Sequence, residues 1–332
     1  MPHRDGPTSL PDRRGMRLED AIVETTWLYY HEGLNQSEIA TRLGLSRATV
    51  VNYLAEGRRR DYVRISLNTD IFTGHRLAAR LREVFGLKGA LVVPSDGSDP
   101  QRNADRVTRA ASDWLPQLLE PGDQLGVAWG ESVFRLAEAA PRVPIRDLTV
   151  VQMVGSRASD IGFAAETCAA TLAQRFGAAL VSLHAPLLLT ERDLAERLKQ
   201  EPGIAGQLRA VAACNKTVFA CGTVGPESHI AKTGLVAAEE LARLRTAGAT
   251  GVICARLIDA EGRAVPIEIE ERMISVTLEQ MKGKDMALLV ATGRERARPA
   301  RAAIKGGYAT HLVTCSDTAQ DLLADTAWGS SP

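Results

Sequence analysis

Apolar residues recur along the chain with two rhythms, and the change of rhythm divides it. From Arg17 to Glu32, Leu18, Ile22, Thr25 and Leu28–Tyr29 fall at the spacing of one helical face. Gly33 stops that helix. Gln36–Leu43 forms a second short helix ended by Gly44, and a third begins at Ser46, a hydroxyl N-cap, and runs through Arg58–Arg60. Tyr62–Leu67 alternates like a strand. Three helices and a strand predict a small separate module over 17–69. Residues 1–16, punctuated by Pro2, Gly6, Pro7, Pro11 and Gly15, are expected to be a disordered tail.

Beyond that module, over 72–326, short apolar runs replace the helical stripes. They are Ala90–Val93, Leu125–Trp129, Leu148–Val154, Ala179–Leu183, Thr217–Cys221, Gly251–Ile258, Met286–Ala291 and His311–Thr314. Amphipathic stretches separate most of them: Arg102–Leu119, Ala164–Phe176, Ala237–Thr246 and Arg296–Lys305. Apolar strands alternating with amphipathic helices predict an α/β fold, a mostly parallel, doubly wound sheet covered on both faces.

Composition narrows the class. The chain has 332 residues, 45% apolar and 24% charged, with 40 basic and 40 acidic side chains. No apolar run reaches the ~20 residues that cross a bilayer, and the polar start of the chain offers no secretion signal. Five scattered cysteines make no disulfide framework and fit a reducing, cytoplasmic setting. Neutrality hides one asymmetry. Between Thr41 and Arg60 stand Arg42, Arg47, Arg58, Arg59 and Arg60 against Glu56 alone.

That asymmetry coincides with the requirements of a helix-turn-helix. Two helices crossing at a tight turn need a small residue, a turn residue tolerant of positive φ, and apolar side chains that lock the second helix. Ala40, Gly44 and the set Leu45, Val50 and Leu54 meet them, with Ile39 and Leu43 on the preceding helix. The second helix is then expected in the major groove of double-stranded DNA. Gln36, Ser46, Arg47, Thr49 and Asn52 are candidates for base or phosphate contacts, and Tyr53 for the backbone. Arg58, Arg59, Arg60 and Arg64 are expected to meet phosphates and make binding steeply salt-dependent. An ordinary helical bundle with a basic surface is the plainer alternative.

In the sheet domain, anion sites form where a strand ends and a helix begins. Leu125–Trp129 leads into Gly130, Glu131 and Ser132, where the glycine allows close approach and the serine offers a hydroxyl. Glu131 would repel a bound phosphate unless it points away or bonds sugar hydroxyls. Gln152, Gly155 and Ser156 mark a second strand end, and Gly222 and Thr223 a third. Arg296, after Gly293 and Arg294, opens another helix and suits bidentate phosphate recognition, with a solvated basic helix face as the plainer alternative. Catalytic candidates are lacking: His184 reads as a structural residue, and Cys214, Cys221 and Cys254 as buried small hydrophobes without zinc-ligand spacing. Asp259, Glu268, Glu270 and Glu271 read as a solvated surface. No metal and no cofactor is expected.

The order and spacing of LYYHEGLNQSEIATRLGLSRATV, GVAWG, VVQMVGS, LHAP, GTVGPESHIAKTG, AGATGVICARLIDAEGR, ISVTLEQM and ARPARAAIKGGYATHLVTCSDTAQDLL resemble the SorC family of bacterial transcriptional regulators, over nearly the whole chain. The resemblance implies a winged helix-turn-helix joined to a domain similar to sugar-phosphate isomerases and glucosamine-phosphate deaminases. It also implies a homotetramer that senses a phosphorylated sugar or sugar alcohol. The family's ligand turns fall on Gly130–Ser132, on Gln152, Gly155 and Ser156, and on Gly222 and Thr223. Two departures stand out. Val252 replaces an acid usual in the family, which predicts a smaller or differently oriented ligand, and Arg296 replaces the phosphate-binding lysine. The expectation is a non-enzymatic regulator of a carbohydrate catabolism operon, with no membrane partner. The rival is a sugar-phosphate isomerase or deaminase with a helical appendage.

Overall fold

The computed structural model describes residues 17–64, 76–96, 99–157 and 164–324. They belong to two units that divide between Ser66 and Leu67. The first contains α1 (Leu18–Tyr30), α2 (Gln36–Leu43) and α3 (Arg47–Arg59). Asn35 starts α2 with a capping box. Its Oδ1 accepts from the Ser37 and Glu38 amides at 2.9 and 3.0 Å, and the Glu38 carboxylate accepts the Asn35 N–H at 2.7 Å. Gly44 ends α2 in the left-handed region, φ 63°, which turns the chain directly into α3.

Ser46 caps α3 by accepting the Thr49 N–H at 3.0 Å. Leu28, Ile39, Val50 and Leu54 close the core between the three helices. Helix α1 crosses α3 at Gly57, where a Cβ would stand 2.2 Å from Thr26 Oγ1. A glycine inside a helix costs propensity, about 1 kcal/mol, and here the close approach requires it. The expected strand Tyr62–Leu67 does not start as one: Asp61 takes φ 63°, and Tyr62–Arg64 bend without pairing. Residues 65–67 and the 1–16 tail lie outside the described residues.

The second unit is built on a seven-stranded parallel sheet. Its strands are β1 (Gly89–Val93), β2 (Gln124–Val127), β3 (Thr149–Gln152), β4 (Ala179–Val181), β5 (Lys216–Ala220), β9 (Met286–Val290) and β10 (His311–Cys315). The order is β1-β10-β9-β5-β2-β3-β4. Alternate side chains feed opposite faces. Met286, Leu288 and Val290 enter one core with α5 (Pro100–Trp114), α6 (Glu131–Ala139) and α7 (Ala165–Phe176). Ala287 and Leu289 enter the other, with α4 (Arg76–Phe85), α9 (Pro202–Ala213), α11 (Ala238–Thr246), α12 (Ala297–Lys305) and α13 (Ser316–Ala324). Helices α8 (Arg192–Gln200) and α10 (His229–Lys232) flank this frame.

The stretch Gly251–Ile258 departs from expectation. It is no strand of the parallel sheet but a hairpin, β6 (Ala249–Ile253) and β7 (Arg256–Asp259), extended by β8 (Ala264–Val265) into a separate antiparallel sheet. Cys254 and Ala255 form its turn at φ 49° and 68°, positions that favour glycine or asparagine, so the apolar run carried no turn signal. Arg102–Leu119 is likewise broken, because Pro116 tightens Leu115–Leu118 into a 3₁₀ turn.

The chain lays down β2, β3 and β4 in one direction across the sheet, then returns to β5, β9 and β10 on the other side. The reversal falls between β2 and β5. Open parallel sheets bind ligands at the carboxyl ends of strands flanking such a reversal.

Candidate functional site

On the first unit, α3 presents Ser46, Arg47, Ala48, Val51 and Asn52 outward, with Thr49 and Tyr53 half-buried beside them. Arg47 Nε donates to Gln36 Oε1 at 3.4 Å, which joins the starts of the two helices. Ser46 and Thr49 hydroxyls lie 2.8 Å apart and serve the cap. The basic end of α3 is less available than its composition suggests. Arg59 donates to Glu56 at 2.8 and 2.6 Å, and Arg60 at 2.5 Å while also reaching Glu19 on α1. Hydrogen bonds from Arg59 and Arg60 hold the Glu56 carboxyl down to about 2. Arg58 Nε donates to the Leu54 carbonyl at 3.3 Å, and Arg64 is half-buried at the end of the described stretch.

On the second unit, three strand ends meet at the reversal. Gly130, φ 110°, takes the chain from β2 into α6 and provides no side-chain cap, and Glu131 and Ser132 of the first turn line the crevice. Gly293, φ 101°, makes the equivalent turn after β9 and delivers Arg296, whose Nη1 donates to Ser132 Oγ at 3.2 Å. Gly222, after β5, exchanges backbone hydrogen bonds with Val252 at 2.8 and 3.0 Å. Gly130, Glu131, Ser132, Gly222, Thr223 and Arg296 thereby line one cavity of about 330 Å³. A neighbouring cavity of about 400 Å³ shares Glu131, Ser132 and Arg296 and extends to Thr292, Gly293 and Cys315.

Glu131 shares one guanidinium with a second carboxylate. Arg135 grips its carboxylate at 2.7 and 3.0 Å and holds Asp105 at 2.7 Å as well. Gln152, Gly155 and Ser156 lie outside the cavity, and their polar groups serve the fold. Buried Gln152 donates to the Val154 carbonyl at 2.8 Å and accepts the Leu183 N–H at 3.3 Å. Gly155 permits backbone contact: a Cβ would stand 2.8 Å from Ala185 O, Ile274 O and Leu187 N. Ser156 pairs through its backbone with Ala185 and Leu187.

On the cavity's far side, sequence reading reached only Val252. Trp129 and His229 meet edge to face, centroids 4.9 Å apart at 81°, and Val252, Cys254 and Ala255 come from the unrecognised hairpin. Burial, with Arg157 and Arg296 nearby, pushes the His229 imidazole below its ordinary value, and Glu131 opposes this. Cys214, Cys221 and Cys254 are buried, and burial pushes their thiols up to about 11, 12 and 12. Among the acids expected in solvent, Glu270 is an exception: it pairs with buried Arg256 at 2.9 Å. His184 is exposed, and its backbone N–H donates to Gln207 at 2.9 Å. Among the described residues, no group of three or more His, Cys, Asp or Glu side chains could hold a metal ion.

Comparison with known proteins fixes the family. The family model for the sugar-binding domain matches residues 69–324. The transcriptional regulator YjhU of Escherichia coli K12 is 32% identical over 312 residues, covering 92% of this chain and 95% of that protein. The full-length sorbitol operon regulator SorC from Klebsiella pneumoniae, a crystal structure, matches with TM-score 0.75 at 26% identity, over 93% of this chain and 100% of that one. The chain belongs to the SorC family of transcriptional regulators. Another relative, the deoxyribonucleoside regulator of Bacillus subtilis, is 28% identical over 316 residues, 95% of this chain and 99% of that protein. SorC-family membership decides between the two readings of the sheet domain: this chain is a regulator, not a sugar-phosphate isomerase or deaminase.

Proposed function

We propose that this SorC-family regulator binds a palindromic operator of a carbohydrate catabolism operon through α3, and that a phosphorylated sugar or sugar alcohol in the second unit controls that binding. The observation that carries the effector half is Arg296, 3.2 Å from Ser132 at the uncapped start of α6. A guanidinium and the first-turn amides of an uncapped helix suit a phosphate, and Arg135 pairs with the Glu131 carboxylate beside them while also holding Asp105. Support for the operator half is the exposed start of α3 behind a serine cap, with Arg47 and Asn52 facing out. The reading includes a homotetramer of paired dimers, no cofactor, and action in the cytoplasm. Among the described residues, no helix is long and apolar enough to cross a membrane. Control requires the effector to bind two arrangements of the readers with different affinity.

The test is a gel-shift titration of the full chain on DNA upstream of its own coding sequence, with and without a panel of phosphorylated sugars. Specific retardation that a phosphorylated sugar alters, and that Arg47→Ala weakens, is the expected result. Turnover of any panel member, or indifference to all of them together with unchanged binding by Arg47→Ala, would overturn the reading.

A further inference from the structure

The outward face of α3 carries one large apolar side chain. Val51 is 43% exposed, and it stands outside both the reader's buried core and the half-buried side chains packed against that core. A β-branched residue has lower helix propensity than alanine, so Val51 costs the free helix something and returns no packing. Its companions on the exposed face are Arg47, Ala48, Asn52, Ala55, Arg58 and Arg59. They include three arginines and no acid, because Glu56 is half-buried and paired with Arg59 and Arg60. The Ser46 and Thr49 hydroxyls beside this face bond each other at 2.8 Å. Ala48, three residues before Val51 on the same face, is too short to stand in front of it.

Resting on the operator reading of α3, we infer that Val51 determines specificity by reading the C5 methyl group of thymine in the major groove. A face with arginines and no acid suits a polyanion, and the thymine methyl is the apolar group that base pairs present in that groove. Valine holds its two methyl groups in one preferred rotamer on a helix, so it has little freedom to lose on contact. Arg47 stands four residues earlier, about 6 Å along the helix axis, whereas base pairs are stacked about 3.4 Å apart. The two side chains therefore address different base pairs. Removing about one methyl group from water at each half-site is worth about 4-fold in affinity, and about 15-fold over a palindrome.

Gel-shift titration of the full chain tests this on two versions of the DNA upstream of its own coding sequence, one made with thymidine triphosphate and one with deoxyuridine triphosphate. The two differ in the C5 methyl alone. The expected result is that the uracil fragment binds about 4- to 15-fold more weakly, both being measured against unrelated competitor DNA. Val51→Ala, at an exposed helical position that alanine suits, is expected to bind the thymine fragment as weakly as the native chain binds the uracil one, and to distinguish the two less than about 2-fold. Arg47→Ala is expected to bind both fragments more weakly and to keep the native ratio between them. Equal binding of the two fragments by the native chain, or a native ratio kept by Val51→Ala, overturns the inference and leaves the operator reading standing. A changed assembly mass of Val51→Ala in sedimentation also overturns it, by placing Val51 against another protein chain. Absence of specific retardation of either fragment overturns the operator reading itself.

Discussion

The two units of this regulator build their working surfaces in opposite ways. The reader face of α3 is contiguous: its outward residues, its cap and its core anchors fall between Leu28 and Gly57. The cavity is assembled from Gly130–Ser132, Gly222–Thr223, the 252–255 hairpin and Arg296, strand ends that meet where the sheet reverses direction. The reader depends on a core of four buried side chains, Leu28, Ile39, Val50 and Leu54, whereas the cavity rests on a sheet packed on both faces. A site drawn from one short segment is easily recognised and thinly supported. One drawn from many segments is hard to recognise and firmly held.

The largest effect should separate the two directly. Ile39→Ala, in the small core, is expected to cost about 2–5 kcal/mol and abolish operator retardation, while calorimetric effector binding survives. If both functions fell together, the units would not be energetically distinct. Arg296→Ala should weaken a phosphorylated ligand about 100-fold, the scale of a charge-assisted hydrogen-bond pair, and leave DNA binding without ligand unchanged. Arg47→Ala should cost about 1–3 kcal/mol, concentrated at one base pair of the operator; a uniform loss across sequences would assign Arg47 to phosphate instead.

The smallest effect concerns Glu56. Its depressed carboxyl stabilises the end of α3 fully above its ordinary value of 4.5 and loses that contribution as pH falls toward about 2. Glu56→Gln should flatten this acid limb in helical circular dichroism. It should also steepen the salt dependence of DNA binding by up to about 0.9 in log–log slope for each arginine transferred to phosphate.

Different physics decided what could be read in advance. The helices of the reader and the parallel strands followed from local periodicity, since burial on one face or both imprints its period directly. Ala40, Gly44 and Val50 were legible because a tight helix crossing has few chemical solutions. The hairpin at Cys254–Ala255 was not, because neighbouring contacts hold two ordinary residues in a left-handed turn. The clamp of Glu56 on Arg59 and Arg60 was hidden in the same way: charge counting registers Glu56 as one acid against five arginines, and not that it binds two of them. Gly130, Gly222 and Arg296 were identifiable individually as strand-end residues. Their convergence with Trp129 and His229 depends on strand order, which no local pattern encodes. Gln152, Gly155 and Ser156 carry the same local marks, yet Gln152 bonds Val154 and Leu183, and the backbones of Gly155 and Ser156 pair with Ile274, Ala185 and Leu187.

The bridge between Gly222 and Val252 is an isolated one. It ties the parallel sheet to the antiparallel one beside the cavity, and buried Ile253, Leu257 and Ile258 seat the hairpin in the main core, so that wall is fastened by backbone bonding and by packing together.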